Sequence, residues 1–252
     1  DLTVRSDVTG GLEARVLSDS MNTMIDKINE LLEQVKTEQV RLRKAEFELL
    51  QSQINPHFLY NTLDAIVWLA EAGEQKKVVS MVGSLSDFFR ISLNQGQDIL
   101  DVREELQHVR SYLEIQQMRY QDILQYEICV PEELYSSRIP KITLQPLVEN
   151  SIRHGLNNML RGAKVAIRAY PGPGGSVCLE VWDNGVGISA EKQAELLRSF
   201  EATDDSGHIG LRNVYKRLRL FYGKNLRIEF DSVPGSSSVR FVLPPQELAL
   251  GP

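Results

Sequence analysis

The sequence predicts an α+β protein of more than one domain, in which a helical first half precedes a mixed α/β second half. In the first half, apolar residues recur every 3.5 positions from Met21, which is the spacing of a coiled-coil seam. After Asp122 the pattern changes to short runs in which apolar and polar residues alternate, as in half-buried strands. The length of 252 residues is sufficient for two domains of ordinary size.

The coiled-coil pattern extends over residues 21–52, where Glu38 and Ser52 are the only polar occupants of the a and d positions of the heptad. The apolar occupants are Met21, Met24, Ile28, Leu31, Val35, Leu42, Ala45 and Leu49. The register continues beyond Pro56 through Leu59, Leu63, Ile66 and Ala70. Asn55 and Pro56 could begin a new helix as its N-cap and first residue. Because the register survives the proline, we favour one continuous, bent helix, whose seam requires a partner helix.

Two further helices complete the helical half. A turn at Gly73 precedes a second amphipathic segment over residues 78–93, and a third helix is predicted from Val102 to Tyr120. Two long helices joined by a short turn form a helical hairpin, and two hairpins would bury their seams in the four-helix bundle of a homodimer. We therefore expect a coiled coil over residues 1–40, a helical dimerisation domain over 41–125 and an α/β domain over 126–252.

The α/β half contains five predicted strands and three predicted helices. The strands are Tyr126–Val130, Val165–Tyr170, Val177–Trp182, Leu226–Phe230 and Val239–Leu243, and the helices lie near 143–157, 189–198 and 210–222. Ser232–Ser236 has the composition of a hairpin connection. Strands and helices in this order predict a layered α/β domain.

Composition and charge exclude several functions. The net charge is −6 and no segment carries a basic stripe, so nucleic acid is not an expected partner. Cys129 and Cys178 are isolated, which argues against a structural zinc site and suggests a reducing compartment. No apolar run is long enough to span a membrane, and no signal peptide opens the chain. Because the first residue is Asp1, we expect the chain to be part of a longer protein.

The first candidate functional segment is Leu144–Gly155, on the predicted helix 143–157. Asn150 and His154 are four residues apart and would share one face of that helix. An amide oxygen is a suitable ligand for Mg²⁺, which keeps most of its waters and bridges to phosphate. The alternative is an ordinary amphipathic helix that ends at Gly155.

The second candidate segment is Asp183–Gly187, which directly follows a predicted strand. Glycines at positions 185 and 187 would let a flat ring approach the backbone, and the Asp183 carboxylate could accept a hydrogen bond from an exocyclic amine such as that of adenine. An Asp-Asn-Gly turn without a ligand is the alternative.

The third candidate segment is Gly207–Asn213, which opens a predicted helix. Free backbone N–H groups at such a position bind anions, and glycines allow phosphates to come close. The preceding stretch, residues 200–206, is polar and acidic, as a mobile lid over a ligand would be. Gly-x-x-Gly alone is a weak signal.

In this order, the three segments resemble the N, G1 and G2 boxes of the GHKL ATP-binding fold, which histidine kinases, gyrase, Hsp90 and MutL share. The resemblance implies a Bergerat two-layer α/β sandwich that binds ATP and Mg²⁺, with Asn150 as the metal ligand, Asp183 on the adenine and Gly207 and Gly210 near the phosphates. The full set of implied cofactor-binding residues is Asn150, His154, Asp183, Gly185, Gly187, Gly207, Gly210, Leu211 and Asn213. Arg153 and Arg212 are further candidates for charges near the phosphates. No P-loop motif and no eukaryotic-type kinase motifs occur in the sequence.

In the helical half, Leu50–Leu63 closely resembles the H-box of sensor histidine kinases of the LytS/YesM type. The resemblance implies that His57 is the phosphoacceptor and that the phosphoryl group then passes to the receiver domain of a response regulator. In the heptad register His57 falls at position b, facing solvent, and Asn61 and Asp64 lie on the same face. Many other histidine kinases have an acidic base directly after the phosphoacceptor, whereas this chain has Phe58. Asp64 could orient the imidazole instead, and Asn61 could position water for dephosphorylating a partner.

Residues 1–5 and 21–25 also resemble the tail of a HAMP linker, which implies that the parent protein lies at the cell membrane with this chain on the cytoplasmic side. Membrane contact would then involve only a segment upstream of Asp1. Two alternatives to the kinase are a nucleotide-sensing dimeric signalling module without kinase activity and a GHKL kinase that acts on serine. The second alternative leaves His57 without a purpose.

Overall fold

The computed structural model describes residues 11, 20–32, 34–36, 56–92, 98–120, 123–155, 159, 161–201 and 209–245. The chain divides into two units, Asp1–Tyr60 and Asn61–Pro252. In the first unit, residues 20–32 and 34–36 are helical, and apolar side chains of the predicted seam, including Met21, Met24 and Leu31, are exposed. Within the described residues, no helix combines the length and the apolar character that a membrane span requires.

Three helices follow the N-terminal helical stretch: α1 (Pro56–Glu71), α2 (Gln75–Ser92) and α3 (Val102–Tyr120). The turn between α1 and α2 is made at Gly73, whose φ of +76° favours glycine. The residues directly before Pro56 lie outside the described part of the chain, so the continuous, bent helix stays a prediction.

Helix α3 is buried along most of its length, including the polar residues Glu105 and His108. Its first turn is closed by a capping box, in which the Glu104 N–H donates to Asp101 Oδ1 at 2.8 Å and the Asp101 N–H donates to Glu104 Oε2 at 3.2 Å. The Ser84 hydroxyl of α2 donates to Glu114 of α3 at 2.7 Å. Helix α3 thus packs against α2 while also contacting the α/β half, as described below.

The α/β half contains a five-stranded sheet. Its strands are β2 (Leu124–Cys129), β4 (Ala163–Pro171), β5 (Val177–Asp183), β6 (Arg227–Val233) and β7 (Ser236–Leu243), in the spatial order β2-β4-β5-β7-β6. Strand β2 is parallel to β4, and the other neighbours are antiparallel. Each predicted strand is present, with its ends within three residues of the predicted ones. Two short strands that were not predicted, β1 (Ile99–Asp101) and β3 (Arg138–Pro140), form a separate antiparallel pair.

The remaining helices are α4 (Gln145–Asn150), α5 (Ala190–Glu201) and α6 (Ile209–Tyr222). A π-helical turn, Ser151–Gly155, continues α4. Phe200 of α5 stacks on Tyr215 of α6 at 4.6 Å between ring centroids and faces Phe230 of β6 at 6.5 Å. These contacts place helices on one face of the sheet, so the α/β half has the two layers that were predicted.

The two faces of the sheet differ in chemistry because side chains alternate along each strand. Ile167, Val181 and Val239 are neighbours across β4, β5 and β7 on the helix-covered face. On the opposite face Arg240 pairs with Glu180 at 3.4 Å and with Glu229 at 3.1 Å. The site described next lies on the helix-covered face.

Candidate functional site

A cavity of about 880 Å³ lies at one end of the helix-covered face of the sheet. Its walls come from the end of α4 and the π turn, the end of β5 with the loop that follows it, and parts of α5, α6 and β7. The lining residues are Leu147, Asn150, Ser151, Arg153, His154, Asp183, Gly187, Ile188, Ser189, Lys192, Leu196, Gly210, Leu211, Ser237 and Val239. A volume of this size is within the range of small-molecule sites.

Asp183 is the carboxylate of this cavity. It is the last residue of β5 and lies on the same face of the strand as Val181, so the pleat directs its side chain towards the helices. Only 6% of Asp183 is exposed. Burial raises the pKa of this carboxyl above its usual value, and hydrogen bonds from the Ser151 hydroxyl and the Gly185 N–H (3.0 Å) oppose that rise. A ligand that donates a hydrogen bond here would further stabilise the ionised form.

The loop after Asp183 is fixed by the β6–β7 hairpin. Gly187 has a φ of +83°, and a Cβ at this position would lie 3.0 Å from the carbonyl oxygen of Val233. The Ile188 N–H donates to Ser232 Oγ at 2.6 Å, and the Gly235 N–H donates to the carbonyl oxygen of Gly185 at 2.8 Å. Glycine at 187 is therefore required by its backbone conformation and by the hairpin, which we had not anticipated.

Asn150 and His154 both line the cavity, although the helix that carries them differs from the prediction. Within the described part of the predicted helix over 143–157, which ends at residue 155, the chain is α-helical from Gln145 to Asn150 and continues as the π turn. Such π turns occur frequently at functional sites. Arg153, also in the π turn, is exposed and adds a cation to the rim of the cavity.

Helix α6 contributes Gly210 and Leu211 near its first turn. Of the other predicted residues, Gly185 and Asn213 are absent from the lining, and Gly207 lies outside the described residues. Arg212 is 3% exposed and is also not among the described lining residues, so the structure does not place it where a charge would meet a ligand.

The sequence reasoning missed several lining residues. Ser151 lies within the first candidate segment, although no role was predicted for it. Lys192 follows the second candidate segment and forms an ion pair with Glu195 at 2.8 Å. Ser237 and Val239 come from β7, more than fifty residues beyond Asp183. The alternation of apolar residues in β7 could have assigned Val239 to the inner face, whereas only the sheet register brings Ser237 opposite Asp183.

The cavity fits a nucleotide bound with Mg²⁺. Apolar walls from Leu147, Ile188 and Leu196 would flank a base near Asp183, and Arg153 and Lys192 supply positive charge. Within the described residues, no group of three or more His, Cys, Asp or Glu side chains is placed to hold a metal ion. Mg²⁺ that arrives with phosphate needs few protein ligands, because it keeps waters and phosphate oxygens, and an amide oxygen such as that of Asn150 suits it.

The residues of the second predicted site lie on α1. His57 and Asp64 are exposed, and Asn61 is partly exposed. Phe58, which follows His57, is 6% exposed. A buried position next to the histidine could not hold an ionised base without a large desolvation cost.

Comparison with known proteins identifies both halves of the chain. The family described as "Histidine kinase" matches residues 45–124, and "Histidine kinase-, DNA gyrase B-, and HSP90-like ATPase" matches residues 137–247. Sensor histidine kinase YesM of Bacillus subtilis (strain 168) is 38% identical over 229 residues, which cover 90% of this chain and 38% of YesM. Sensor protein LytS of Oceanobacillus iheyensis is 33% identical over 232 residues, which cover 90% of this chain and 39% of LytS.

Among solved structures, the histidine kinase domain from the Erythrobacter litoralis EL346 blue-light activated histidine kinase aligns with a TM-score of 0.44 at 12% identity, covering 80% of this chain and 94% of that one. The chain spans less than two-fifths of the length of the curated relatives named above. The two family matches and these relatives agree with each other along the chain. The chain therefore belongs to the sensor histidine kinases of the LytS/YesM type, in which a helical histidine-kinase region is followed by an ATPase domain of the GHKL fold.

Proposed function

We propose that the chain transfers the γ-phosphoryl group of ATP to His57 and then to an aspartate in the receiver domain of a response regulator. The observation that carries the proposal is a cavity with a buried carboxylate, Asp183, and flanking cations, in a chain whose α1 exposes His57. Family membership agrees with this reading, since the matched families pair a histidine-kinase region with an ATPase domain.

Nucleotide recognition begins with the base. The Asp183 carboxylate accepts a hydrogen bond from the exocyclic amine of adenine, and Gly187 leaves the backbone accessible beside it. Ser151 holds the carboxylate through its hydroxyl, which leaves other lone pairs of Asp183 for the ligand. Arg153, Lys192 and the first turn of α6 at Gly210 face the phosphates, where positive charge and free N–H groups are favourable.

Asn150 would hold the Mg²⁺ that accompanies ATP, and His154, in the π turn, lines the same cavity. The metal would supply positive charge that neutralises the phosphates. The protein contributes positioning and electrostatic stabilisation, because phosphoryl transfer requires little covalent chemistry from the ATPase domain.

In the transfer step, an unprotonated imidazole nitrogen of His57 attacks the γ-phosphorus of ATP. The bond from that phosphorus to the bridging oxygen breaks and ADP leaves with that oxygen. After the new N–P bond has formed, the exposed ring loses its remaining proton to solvent. Asp64 orients the ring from the same helix, since Phe58 provides no base. Exposure of His57 serves two encounters, one with the ATPase domain and one with the receiver.

We also propose that the chain acts as a homodimer. Apolar side chains of α1 and α2 are exposed in the single chain, among them Val67, Trp68 and Val79, at 53%, 77% and 72%. Large apolar side chains left this exposed favour a partner surface that covers them. Residues 1–40 would form the signalling coiled coil, 41–125 the dimerisation and phosphotransfer domain, and 126–252 the catalytic domain.

The parent protein is placed at the cell membrane, with this chain on the cytoplasmic side. The support is the resemblance of residues 1–5 and 21–25 to the tail of a HAMP linker. Stimuli would then reach His57 as changes in helix packing along the coiled coil.

A labelling experiment tests the proposed activity. The 252-residue chain is incubated with Mg²⁺ and ATP labelled at the γ-phosphate, and the label on the protein is tested for stability in acid and in base. We expect an acid-labile, base-stable label that is absent from His57→Gln, while His57→Gln still binds ATP. His108→Gln is the matched control, because it removes a buried histidine of the same helical region, and it should retain the label.

The alternatives predict different results. An acid-stable label would identify serine as the acceptor and would overturn the proposal. ATP binding without any label on the chain would identify a nucleotide-sensing module. A label that persists in His57→Gln would place the acceptor elsewhere.

A further inference from the structure

The backbone adopts an unusual conformation between β3 and α4. Ile142 has a φ of +57°, and it is the only residue other than glycine in the described part of the chain with a positive φ. The left-handed region is unfavourable for L-residues, and a β-branched side chain makes it rarer still. Such a conformation persists only where the surrounding structure enforces it.

Three hydrogen bonds from two distant helices hold this turn. The Ile142 N–H donates to Glu105 Oε2 at 2.8 Å, and the Leu144 N–H donates to Glu105 Oε1 at 2.7 Å. Nη2 of Arg217, on α6, donates to the carbonyl oxygen of Ile142 at 2.6 Å. Both backbone groups of Ile142 are thus bound by side chains, and both oxygens of Glu105 are used.

Glu105 is fully buried, at 0% exposure, and it does not line the nucleotide cavity. Burial raises the pKa of its carboxyl, and the backbone donors and the charge of Arg217 oppose that rise. A buried carboxylate is costly unless its acceptors are satisfied. The turn at Ile142 satisfies them, so the carboxylate and the turn depend on each other.

The turn directly precedes the helix that carries Asn150. Leu144 is the N-cap residue of α4, and Asn150 is the last residue of that helix. Arg217 extends from α6, whose first turn contributes Gly210 to the lining of the same cavity. The Ile142 turn therefore connects α3 to two helices that line the cavity.

We propose that Glu105 is a positioning residue for phosphoryl transfer: from α3 it fixes the start of α4 and thereby the place of Asn150 at the Mg²⁺–phosphate end of the cavity. This inference rests on the proposed function and deepens it. Asp183 is on β5 and is held by the sheet register, opposite Ser237, and by the N–H of Gly185 at 3.0 Å. Only its hydrogen bond from Ser151, the residue after Asn150, comes from the α4 side, so the base end of the cavity depends less on Glu105 than Asn150 does.

The test separates the two ends of the cavity in the 252-residue chain. The affinity for ATP is measured by competition with a fluorescent ATP analogue, once in Mg²⁺ and once in EDTA. Glu105→Gln keeps the shape of the side chain but replaces one acceptor oxygen with a donor. The measured quantity is the ratio of the ATP affinity in Mg²⁺ to that in EDTA. In Glu105→Gln we expect this ratio to fall about tenfold or more, as for other groups that orient metal ligands. The affinity in EDTA should stay within about twofold of wild type.

Glu133→Gln is the matched control, because Glu133 is exposed in the short 3₁₀ turn before β3. It should leave both affinities unchanged. A second variant addresses folding: glycine adopts a positive φ without strain, so Ile142→Gly should need the carboxylate less. We expect the double variant Glu105→Gln/Ile142→Gly to recover most of the Mg²⁺-dependent gain in ATP affinity. If Glu105→Gln acted only by lowering the general stability of the protein, the second substitution would not restore this gain.

Two results would overturn the inference. The first is a full Mg²⁺-dependent gain in folded Glu105→Gln. The second is a parallel loss of affinity in Mg²⁺ and in EDTA that Ile142→Gly does not relieve, which would show a purely structural role. Failure of the proposed function would look different, since the wild-type chain itself would then show no Mg²⁺-dependent binding of ATP.

Discussion

His108 gives a prediction about stability that can be worked out from its surroundings. The residue is fully buried in α3, and its ring stacks on Phe88 of α2 with 4.6 Å between centroids. The Ser92 hydroxyl donates to the carbonyl oxygen of Phe88 at 2.8 Å, so His108 Nε2 must carry the ring proton in its 2.7 Å contact with Ser92 Oγ. Nδ1 is buried without a hydrogen-bond partner among the described residues. Protonation of His108 would place an unpaired cation in the core.

Burial accordingly lowers the pKa of His108 from 6.5 to about 4. As the pH falls below 6.5, the unfolded chain binds a proton that the folded chain does not bind until about pH 4, so the free energy of unfolding decreases over this window. At ~1.36 kcal/mol per pKa unit, the loss is about 2 kcal/mol at pH 5 and about 3 kcal/mol below pH 4. Above pH 7 the residue is neutral in both states and has no effect on pH dependence.

Urea unfolding of wild type and His108→Gln at pH 7 and pH 5 measures this contribution. Wild type must be compared with His108→Gln because other groups also change stability over this pH range. Burial raises the pKa of the Glu105 and Asp183 carboxyls, and a raised carboxyl pKa increases the free energy of unfolding as the pH falls. We expect wild type to lose about 2 kcal/mol more than His108→Gln between pH 7 and pH 5. Equal losses in the two proteins would refute the argument that burial keeps His108 neutral.

Three further predictions concern the site and the dimer. Asp183→Asn should weaken ATP binding by ~1.5–3 kcal/mol in the competition assay, because the charged acceptor for the adenine amine is lost. An unchanged affinity would show that Asp183 does not recognise the base. Gly187→Ala should lower the free energy of unfolding by ~1–3 kcal/mol, because a side chain is strained at a φ of +83°. Gly210→Ala should not lower it, because a Cβ there would lie 3.8 Å from its nearest neighbour. Equal melting curves for the two variants would contradict this prediction. Val79→Glu should shift the chain from dimer towards monomer in light scattering, because it would place a charge in the proposed interface. Leu220→Glu, which changes an 88% exposed residue of α6, should leave the dimer intact. A dimer in both variants would exclude the α2 face from the dimer interface.

Much of the α/β half could be predicted because side-chain alternation carries the information. Val177, Leu179 and Val181 define the inner face of β5, and the next residue in that period is Asp183. The position of this carboxylate at the end of the core face thus follows from the sequence. The short strands β1 and β3 were missed because three residues are too few to show a period.

Long-range contacts could not be predicted in the same way. Glu105 and Ile142 are 37 positions apart, and an alternation or heptad pattern does not encode which side chain binds a given backbone group. His108 lies on a helix whose faces look mixed in sequence, because α2 covers one side and the α/β half covers another. Burial on several sides removes the polar face that periodicity depends on.

The position of α3 also bears on where the catalytic domain begins. The predicted boundary at residue 126 follows α3, yet Glu105 binds two backbone N–H groups of the α/β half, and β1 pairs with β3. A fragment over 126–252 would lose both contacts, including two hydrogen bonds to a charged acceptor at ~1.5–3 kcal/mol each, and would expose the surface that α3 covers. We therefore expect the free energy of unfolding in urea to be at least ~3 kcal/mol higher for a fragment over 98–252 than for one over 126–252. The figure combines the two lost hydrogen bonds with the apolar surface that α3 covers. Equal stability would show that α3 merely rests on the α/β half, whereas the expected difference would make α3 part of that core.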